Sequence, residues 1–402
     1  MIIIGKPFVS SQSGKSRLTA KVDIDGDSRE VWFEVESQFE KYLCYERGDA
    51  FVVAILNYAM RYGHDMESKA PIGEDLYYQL TTDLIPALAD NSKAMYHTKL
   101  IAEVDSTVLP NMGAVGTGIS CGVDSFHSLA MESQGKFPKH KLTHLAFNNV
   151  GSHGEGEYAQ KLFAERKDLA KRFCEEFGFV YVEGNSNLHD AIPQNHYLTH
   201  TYSSMFSVFA LQKLYSIYYY ASSGHPYNKF SLKDNEKFGC ANYEILSLKT
   251  LSTHSLLIYS EGGEKNRFEK VKTIVNYPPS YNYLNVCLNQ FHNCGKCEKC
   301  VRTLVALDAL DKLDEYKNVF DIGYYRANKN YYHKRLVLGT LQKNDMYAGV
   351  YPLLKNRISF TAKISGFSSY LKVCVIHNVG NVLKFLLPMG VVERLKKMVF
   401  GR

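Results

Sequence analysis

Between residues 109 and 315, short runs of β-branched, aromatic and small residues alternate with longer segments of helical periodicity. Because parallel strands are joined through crossover helices, this alternation predicts an α/β fold, a doubly wound, Rossmann-like parallel sheet with helices on both faces. The predicted strands cover residues 115–119, 144–147, 179–182, 229–232 and 255–259, and the predicted helices cover 124–132, 157–177, 203–222, 265–275 and 299–313. Such sheets bind ligands beyond the carboxyl ends of the strands, where the strand order reverses.

The segments on either side predict two further domains. Residues 1–108 contain a strand over 17–24, a turn at Asp25-Gly26-Asp27 and a returning strand over 31–35, followed by helical segments. We expect an N-terminal α+β domain there, which binds a substrate or partner or gives structural support. A mostly helical extension is expected at the C-terminus. The predicted domains are therefore 1–108, 109–315 and 316–402.

The first strand of the central domain leads into Ser120-Cys121-Gly122-Val123-Asp124-Ser125, which has the pattern of a tight turn followed by a helix. A helix that starts after a glycine-bearing turn presents unpaired N–H groups and the positive end of its dipole, so phosphate is the expected ligand. An ordinary surface turn is the alternative. We expect Asp124 to cap the helix, and a side chain at Cys121 should require a negative φ.

This run resembles the Ser-Gly-Gly-x-Asp-Ser signature of the PP-loop ATP pyrophosphatases, with Cys121 in place of a glycine. The resemblance implies a nucleotide-binding sheet of the HUP type and an enzyme that adenylates a carboxylate or carbonyl with ATP, releases pyrophosphate and lets a nucleophile displace AMP. It implies that Asp124 and Ser125 are catalytic, that Asp124 holds Mg²⁺, and that Phe147 and Asn148 flank the adenosine. The residues implied to bind the ATP phosphates are Ser120, Cys121, Gly122, Val123, Asp124 and Ser125.

Other polar residues of this domain are candidates for the same site. His153 follows the second strand, where the related deazaguanine synthases carry a Gly-Gln-Arg-His segment, and it either contacts substrate or is a solvated loop histidine. Ser203 and Ser204 either bind substrate or cap a helix. Arg267 and Lys270 lie three residues apart on one helical face, where they could neutralise a transferred phosphate or pair with neighbouring glutamates.

A second motif consists of Cys287, Cys294, Cys297 and Cys300, with Gly295 after the second cysteine. Four thiolates at this spacing predict a closed tetrahedral zinc site, with an iron–sulfur cluster or unligated thiols as alternatives. The motif is similar to the zinc module of the 7-cyano-7-deazaguanine synthases, in which an arginine also follows, here Arg302. The resemblance covers about residues 112–315, so we expect a paralogue with a different acceptor substrate.

Composition limits the remaining classes. The 402 residues carry a net charge of +6, which an anionic ligand such as ATP explains without nucleic acid. The uneven cysteine spacing predicts a reducing compartment, and no apolar run reaches the length of a membrane span. We therefore expect a cytoplasmic protein that binds neither nucleic acid nor membrane. The apolar, basic stretch 382–402 could instead lie on a membrane surface or pack on protein, and a homodimer is compatible with the sequence.

Three functional interpretations follow. The first is an ATP-dependent ligase similar to the deazaguanine synthases, acting on a deazapurine, a small metabolite, a sugar precursor or a protein terminus. The second is a sulfur-transferring, RNA-modifying PP-loop enzyme, for which Cys121 and Cys240 are the candidate persulfide carriers. The third is a zinc-stabilised nucleotide-binding scaffold that has lost catalysis.

Overall fold

The computed structural model describes residues 1–132, 136–154, 156–223, 227–233, 239–287 and 289–386. The strands are β1 (Ile2–Ile4), β2 (Phe8–Gln12), β3 (Lys15–Ile24), β4 (Asp27–Glu36), β5 (Met66–Ser68), β6 (Ile72–Gly73), β7 (Leu100–Ile101), β8 (Val104–Asp105), β9 (Ala114–Gly118), β10 (His144–Asn149), β11 (Val180–Ser186), β12 (Tyr215–Ala221) and β13 (Leu257–Glu261). The α-helices are α1 (Asp49–Tyr62), α2 (Glu74–Gln79), α3 (Ile85–Asn91), α4 (Val123–Glu132), α5 (Gly156–Phe177), α6 (Leu188–Ala191), α7 (His196–Ala210), α8 (Glu244–Thr250), α9 (Arg267–Ile274), α10 (Ser280–Tyr283), α11 (Glu298–Ala309), α12 (Ile322–Ala327), α13 (Lys329–Leu341), α14 (Tyr351–Leu354) and α15 (Phe360–Leu386).

One mostly parallel sheet organises the chain from its start to β13. Five of its strands run parallel in the order β11-β10-β9-β12-β13. The chain therefore builds two strands on one side of β9 and then crosses to the other side, which places the reversal of strand order at β9. The predicted α/β class with a parallel central sheet is confirmed.

The N-terminal strands continue this sheet. β4 pairs antiparallel with β11, for example Val35 with Gly184, and the order then runs β4-β3-β1-β5-β7. The core is shared as well, since the Phe206 ring of α7 lies 5.9 Å from that of Phe33 and 5.4 Å from that of Phe51. The chain divides into two compact units between Asn293 and Cys294, and the domain boundaries at residues 108 and 315 stay predictions. β4 satisfies the main-chain groups of β11, which would otherwise be an open edge.

The fourth parallel strand is not the predicted one. The helix predicted over 203–222 is wrong in its second half, because α7 ends at Ala210 and the tyrosine-rich segment after it forms β12. The strand predicted over 229–232 is also wrong, since Tyr227–Lys229 is a short 3-10 turn. Gly116 makes room for β12: a Cβ there would lie 2.5 Å from Cε1 of Tyr215.

The unit from Cys294 onward is helical where it is described, as predicted for the region after residue 315. Its interior holds a polar cluster in which the Tyr325 hydroxyl donates to Asp308 over 2.8 Å and the His333 ring lies 3.4 Å from the same carboxylate. Of the stretch 382–402, residues 387–402 lie outside the described part of the chain. Among the described helices, none combines the length and the apolar character needed to cross a membrane.

Candidate anion-binding site and metal centre

The turn after β9 lies at the position where the strand order reverses. Ile119 continues the ladder by donating its N–H to the carbonyl of Ala146 over 2.8 Å, and α4 begins at Val123. Because β9, β10, β12 and β13 run parallel, their carboxyl ends meet at this edge of the sheet. The predicted anion-binding turn is therefore placed where α/β sheets bind ligands.

The two serines of the turn lie side by side. The Ser120 and Ser125 hydroxyl oxygens are 3.4 Å apart, the Gly122 N–H points to Ser120 Oγ at 3.3 Å, and Ser125 donates to the Gly122 carbonyl over 3.1 Å. These contacts fold the turn on itself, with Ser120 exposed and Ser125 buried. The N–H groups at the start of α4 and the exposed Ser120 hydroxyl are therefore the donors that this turn can offer to a phosphate oxygen.

The prediction that Asp124 caps the helix is wrong. Asp124 lies within the first turn of α4, because this helix already begins at Val123. Its Oδ2 accepts from Arg267 Nη2 over 2.9 Å, and its Oδ1 accepts from Lys270 Nζ over 3.0 Å. Arg267 and Lys270 do share one face of α9, as their spacing predicts. Glu269, which lies between them in the sequence, is engaged instead in a capping box with Asn266.

This three-residue cluster carries excess positive charge. Two cations against one carboxylate leave a net charge of +1, in a place where Lys270 is fully buried and Arg267 only 8% exposed. Burial alone would raise the pKa of the Asp124 carboxyl, but the charges of Arg267 and Lys270 hold it well below its usual range. Main-chain carbonyls after β12 also hold the two cations in place. Lys270 Nζ donates to the Ser222 carbonyl over 2.6 Å, and Arg267 Nη2 donates to the Ser223 carbonyl over 3.2 Å. An anion is the natural complement of this cluster.

His127 is a residue of the site that sequence reasoning missed. It lies one helical turn after Asp124 and is fully buried, and among the described residues neither of its ring nitrogens has a hydrogen-bond partner. Burial, together with the nearby charge of Lys270, lowers its pKa to about 4, so it is neutral at pH 7. Gly262, at φ +76°, lies so close that a Cβ there would be 2.8 Å from His127 Nδ1. The i, i+3 spacing from Asp124 was the only signal for it in the sequence.

Cys121 adopts a left-handed conformation with φ +55°, so the expectation of a negative φ is wrong. Its side chain is buried, and its carbonyl accepts the Asn285 N–H over 2.7 Å. A residue with a Cβ persists in this conformation only where surrounding contacts impose it. The turn thus keeps a backbone geometry that suits glycine while carrying a cysteine.

The residues predicted beside the adenosine lie at the end of β10. The Phe147 ring stacks on Phe163 at 5.4 Å and packs against His153 at 5.5 Å, while Asn148 donates to the Ser207 hydroxyl over 2.9 Å. His153 is buried between these two phenyl rings and is not a solvated loop residue. Burial lowers its pKa to about 4. The side chain of Phe147 is therefore part of the core, and the position of Phe147 and Asn148 beside the adenosine stays a prediction.

Ser203 and Ser204 lie in the middle of α7, so the prediction that they cap a helix is wrong. The cap is Asn195, whose side chain accepts the Tyr197 N–H. Ser203 is buried, with its hydroxyl 3.0 Å from His189 Nε2. Their assignment to the substrate stays a prediction.

The four cysteines of the second motif do converge. The sulfurs of Cys287, Cys294, Cys297 and Cys300 all lie within 4.8 Å of one another, an arrangement able to hold a metal ion. The main-chain N–H groups of Lys296 and Cys297 point to Cys294 Sγ at 3.4 and 3.3 Å, and Gly295 takes φ +68°. Thiolate ligands with N–H donors to the sulfur are typical of a structural metal centre.

The chain was compared with protein-family models, curated proteins and solved structures, and no match was found in any of the three. The functional assignment therefore depends on the residues and geometry of the site.

Proposed function

We propose that this protein is an ATP-dependent adenylating enzyme of the PP-loop type, which cleaves ATP to AMP and pyrophosphate. The observation that carries the proposal is the convergence of Asp124, Arg267 and Lys270 beside the N-terminus of α4. The strand order β11-β10-β9-β12-β13 supports it, because strands that reverse direction of growth at β9 form the crevice in which doubly wound sheets bind nucleotides.

The cluster suits a pyrophosphate leaving group. The α4 N-terminus and the hydroxyls of Ser120 and Ser125 would bind the phosphate oxygens, while Arg267 and Lys270 offset the charge that develops as pyrophosphate departs. Both Asp124 oxygens already accept hydrogen bonds from cations. We therefore propose that Asp124 aims these cations at the phosphates and that Mg²⁺ is held mainly through the phosphates themselves.

The reaction needs little covalent chemistry from the protein. An oxygen of the acceptor carboxylate or carbonyl bonds to the α-phosphorus as the bond to the bridging oxygen breaks, and pyrophosphate leaves with that electron pair. An amine or ammonia then attacks the activated carbon, loses a proton, and displaces AMP. Positioning of the reactants and electrostatic stabilisation of the phosphates supply the acceleration. The acceptor remains open among the classes named above, and zinc is the metal proposed for the four thiolates.

The sulfur-transfer alternative receives less support from the thiols. Cys121 and Cys240 are both buried, and burial raises the pKa of Cys240 to about 11 and that of Cys121 further. A sulfur carrier needs an accessible thiolate, which neither residue provides. A nucleotide-binding scaffold stays the second candidate, favoured by the one departure from the signature, Cys121.

The test is turnover of α-labelled ATP with Mg²⁺ and a panel of carboxylates that includes 7-carboxy-7-deazaguanine. We expect AMP and pyrophosphate with one acceptor, and a loss of roughly 100-fold or more in pyrophosphate release for Asp124→Asn and for Lys270→Met, because each disrupts the charge cluster. Lys272→Met is the matched control, since Lys272 is an exposed residue of the same helix.

ADP as the sole product would contradict adenylation. Unchanged pyrophosphate release in folded Asp124→Asn protein would contradict the assignment of the site. Tight ATP binding without turnover would favour the scaffold, and an increase in turnover in Cys121→Gly would add to that evidence.

A further inference from the structure

We propose that Asn285 is a positioning residue through which the four-cysteine metal centre controls the shape of the phosphate-binding turn. This inference rests on the proposed function, in that it takes the turn Ser120–Ser125 to bind the phosphates of ATP. It concerns how the turn is held, and it makes anion affinity depend on a metal bound at other residues.

The first step is the backbone of Cys121. At φ +55° this residue is in the left-handed region, which a side chain with a Cβ disfavours, so the free turn would relax toward another conformation. The contact that opposes relaxation is the N–H of Asn285, which donates to the Cys121 carbonyl over 2.7 Å. Gly122 follows directly, and its N–H points to Ser120 Oγ at 3.3 Å, so the backbone of Cys121 sets where this N–H and this hydroxyl lie in the turn.

The second step is how Asn285 itself is held. Its side chain bridges the chain around the first cysteine of the metal centre, here called the metal loop, because Nδ2 donates to the Phe291 carbonyl and Oδ1 accepts the Cys287 N–H over 3.3 Å. Asn293 closes the same loop from its other end, accepting the Val286 N–H over 2.8 Å. The position of Asn285 therefore depends on the positions of Cys287 and Phe291, and Asn293 holds the intervening Val286.

The third step is what sets that conformation. Cys287 lies in this loop, and its sulfur converges with those of Cys294, Cys297 and Cys300. A bound metal would hold the four sulfurs together, whereas thiols without a metal have no shared ligand to keep the loop closed. Arg166 also anchors the loop by donating to the Cys287 carbonyl over 2.7 Å, so metal loss should loosen the loop rather than unfold it. A small shift of Asn285 would weaken its hydrogen bond to the Cys121 carbonyl. Cys121 could then leave its strained left-handed conformation, and the backbone of the turn would change with it.

The experiment measures binding of inorganic pyrophosphate by calorimetry, with metal-loaded protein and with protein from which a chelator has removed the metal. We expect at least tenfold weaker binding without metal in the natural protein. In Cys121→Gly, the same treatment should change affinity less than threefold, because glycine adopts the left-handed conformation without strain. Cys121→Ala, which removes the thiol but keeps the Cβ, should retain the full metal dependence.

A second pair of variants leaves all four cysteines in place. In metal-loaded protein, Asn285→Ala should weaken pyrophosphate binding about tenfold, whereas Asn289→Ala, an exposed asparagine of the same loop, should leave it unchanged. If the metal-free protein does not stay folded, these two variants still test the role of Asn285, because both are measured with the metal bound.

The outcomes separate the two proposals. Equal pyrophosphate affinity with and without metal, unchanged affinity in Asn285→Ala, or identical behaviour of Cys121→Ala and Cys121→Gly would overturn the coupling. Folded, metal-loaded protein that binds neither pyrophosphate nor ATP would overturn the proposed function instead.

Discussion

Two buried histidines, His127 and His153, make the stability of the fold sensitive to acid. Burial holds the pKa of each at about 4, below the value of about 6.5 of an unfolded histidine. The unfolded chain therefore binds more protons between these values, so stability is complete above pH 6.5 and is lost as the pH falls toward 4.

We expect the free energy of unfolding to drop by about 2 kcal/mol per histidine between pH 7 and pH 5. Denaturant titrations at the two pH values would measure this drop. His127→Gln should reduce the drop by the share of one histidine, about 2 kcal/mol, because glutamine has a similar polarity and does not titrate. An equal drop in the natural protein and in His127→Gln would show that His127 does not keep its low pKa in solution.

At the residue scale the sequence predicted the charged part of the site but not its surroundings. Arg267 and Lys270 could be paired because their three-residue spacing places them on one helical face. Asp124 as their common partner could not be derived, since it lies more than 140 positions away in the chain. His127 was missed for the same reason, because its burial depends on α9 and on the loop that contains Gly262.

At the scale of elements, the contact between β9 and β12 depends on the absence of a side chain at Gly116. A Cβ there would lie 2.5 Å from Tyr215, whereas a Cβ at Gly118, two residues along the same strand, has its nearest neighbour at 3.7 Å. Tyr215 is fully buried and cannot move aside without disturbing the core.

We therefore expect Gly116→Ala to lower the free energy of unfolding by about 1–3 kcal/mol through overpacking. Gly118→Ala should have little effect, since its Cβ enters ordinary contact distance. Thermal or denaturant unfolding of the two variants provides the comparison. Equal stability of both variants would mean that the Tyr215 side chain can adopt another rotamer without loss of packing.

The strands and helices of the central region could be predicted where the local sequence pattern indicates the same secondary structure that the folded chain adopts. The strands β9, β10, β11 and β13 and the helix α5 were predicted nearly in place, because their periodicity and flanking turn residues point to one state. The segment that becomes β12 was assigned to a helix, since a cluster of tyrosines fits a helical face as well as a buried strand. Its neighbours β9 and β13 decide between the two, and they are distant in the sequence.

At the scale of the whole molecule, the metal centre can be tested by stoichiometry. We expect one metal ion per chain by elemental analysis, with zinc giving a colourless protein and an iron–sulfur cluster giving visible absorbance. Cys300→Ser should lose most of the metal, whereas Cys374→Ser, which lies outside the cluster, should keep it. Metal retained at full occupancy in folded Cys300→Ser would exclude a four-thiolate site.

The pairing of β4 with β11 was the part of the fold least accessible to sequence. A hairpin such as β3-β4 reveals itself by alternation, but nothing local in it indicates that β4 pairs with β11, some 150 residues later. Pairing at a strand edge uses main-chain groups, which every sequence shares, and so leaves little trace in residue types.

The pairing of β4 with β11 also has a consequence for synthesis. The hairpin β3-β4 leaves the ribosome before β9, β10 and β11 and can form from local contacts, so β4 is available early as a template. The two strands made next, β9 and β10, cannot add to it directly, because β11 stands between them and β4 in the sheet. Until β11 emerges, the segment that carries the anion-binding turn has no finished edge to join, and we expect it to be the part of the nascent chain most in need of a chaperone.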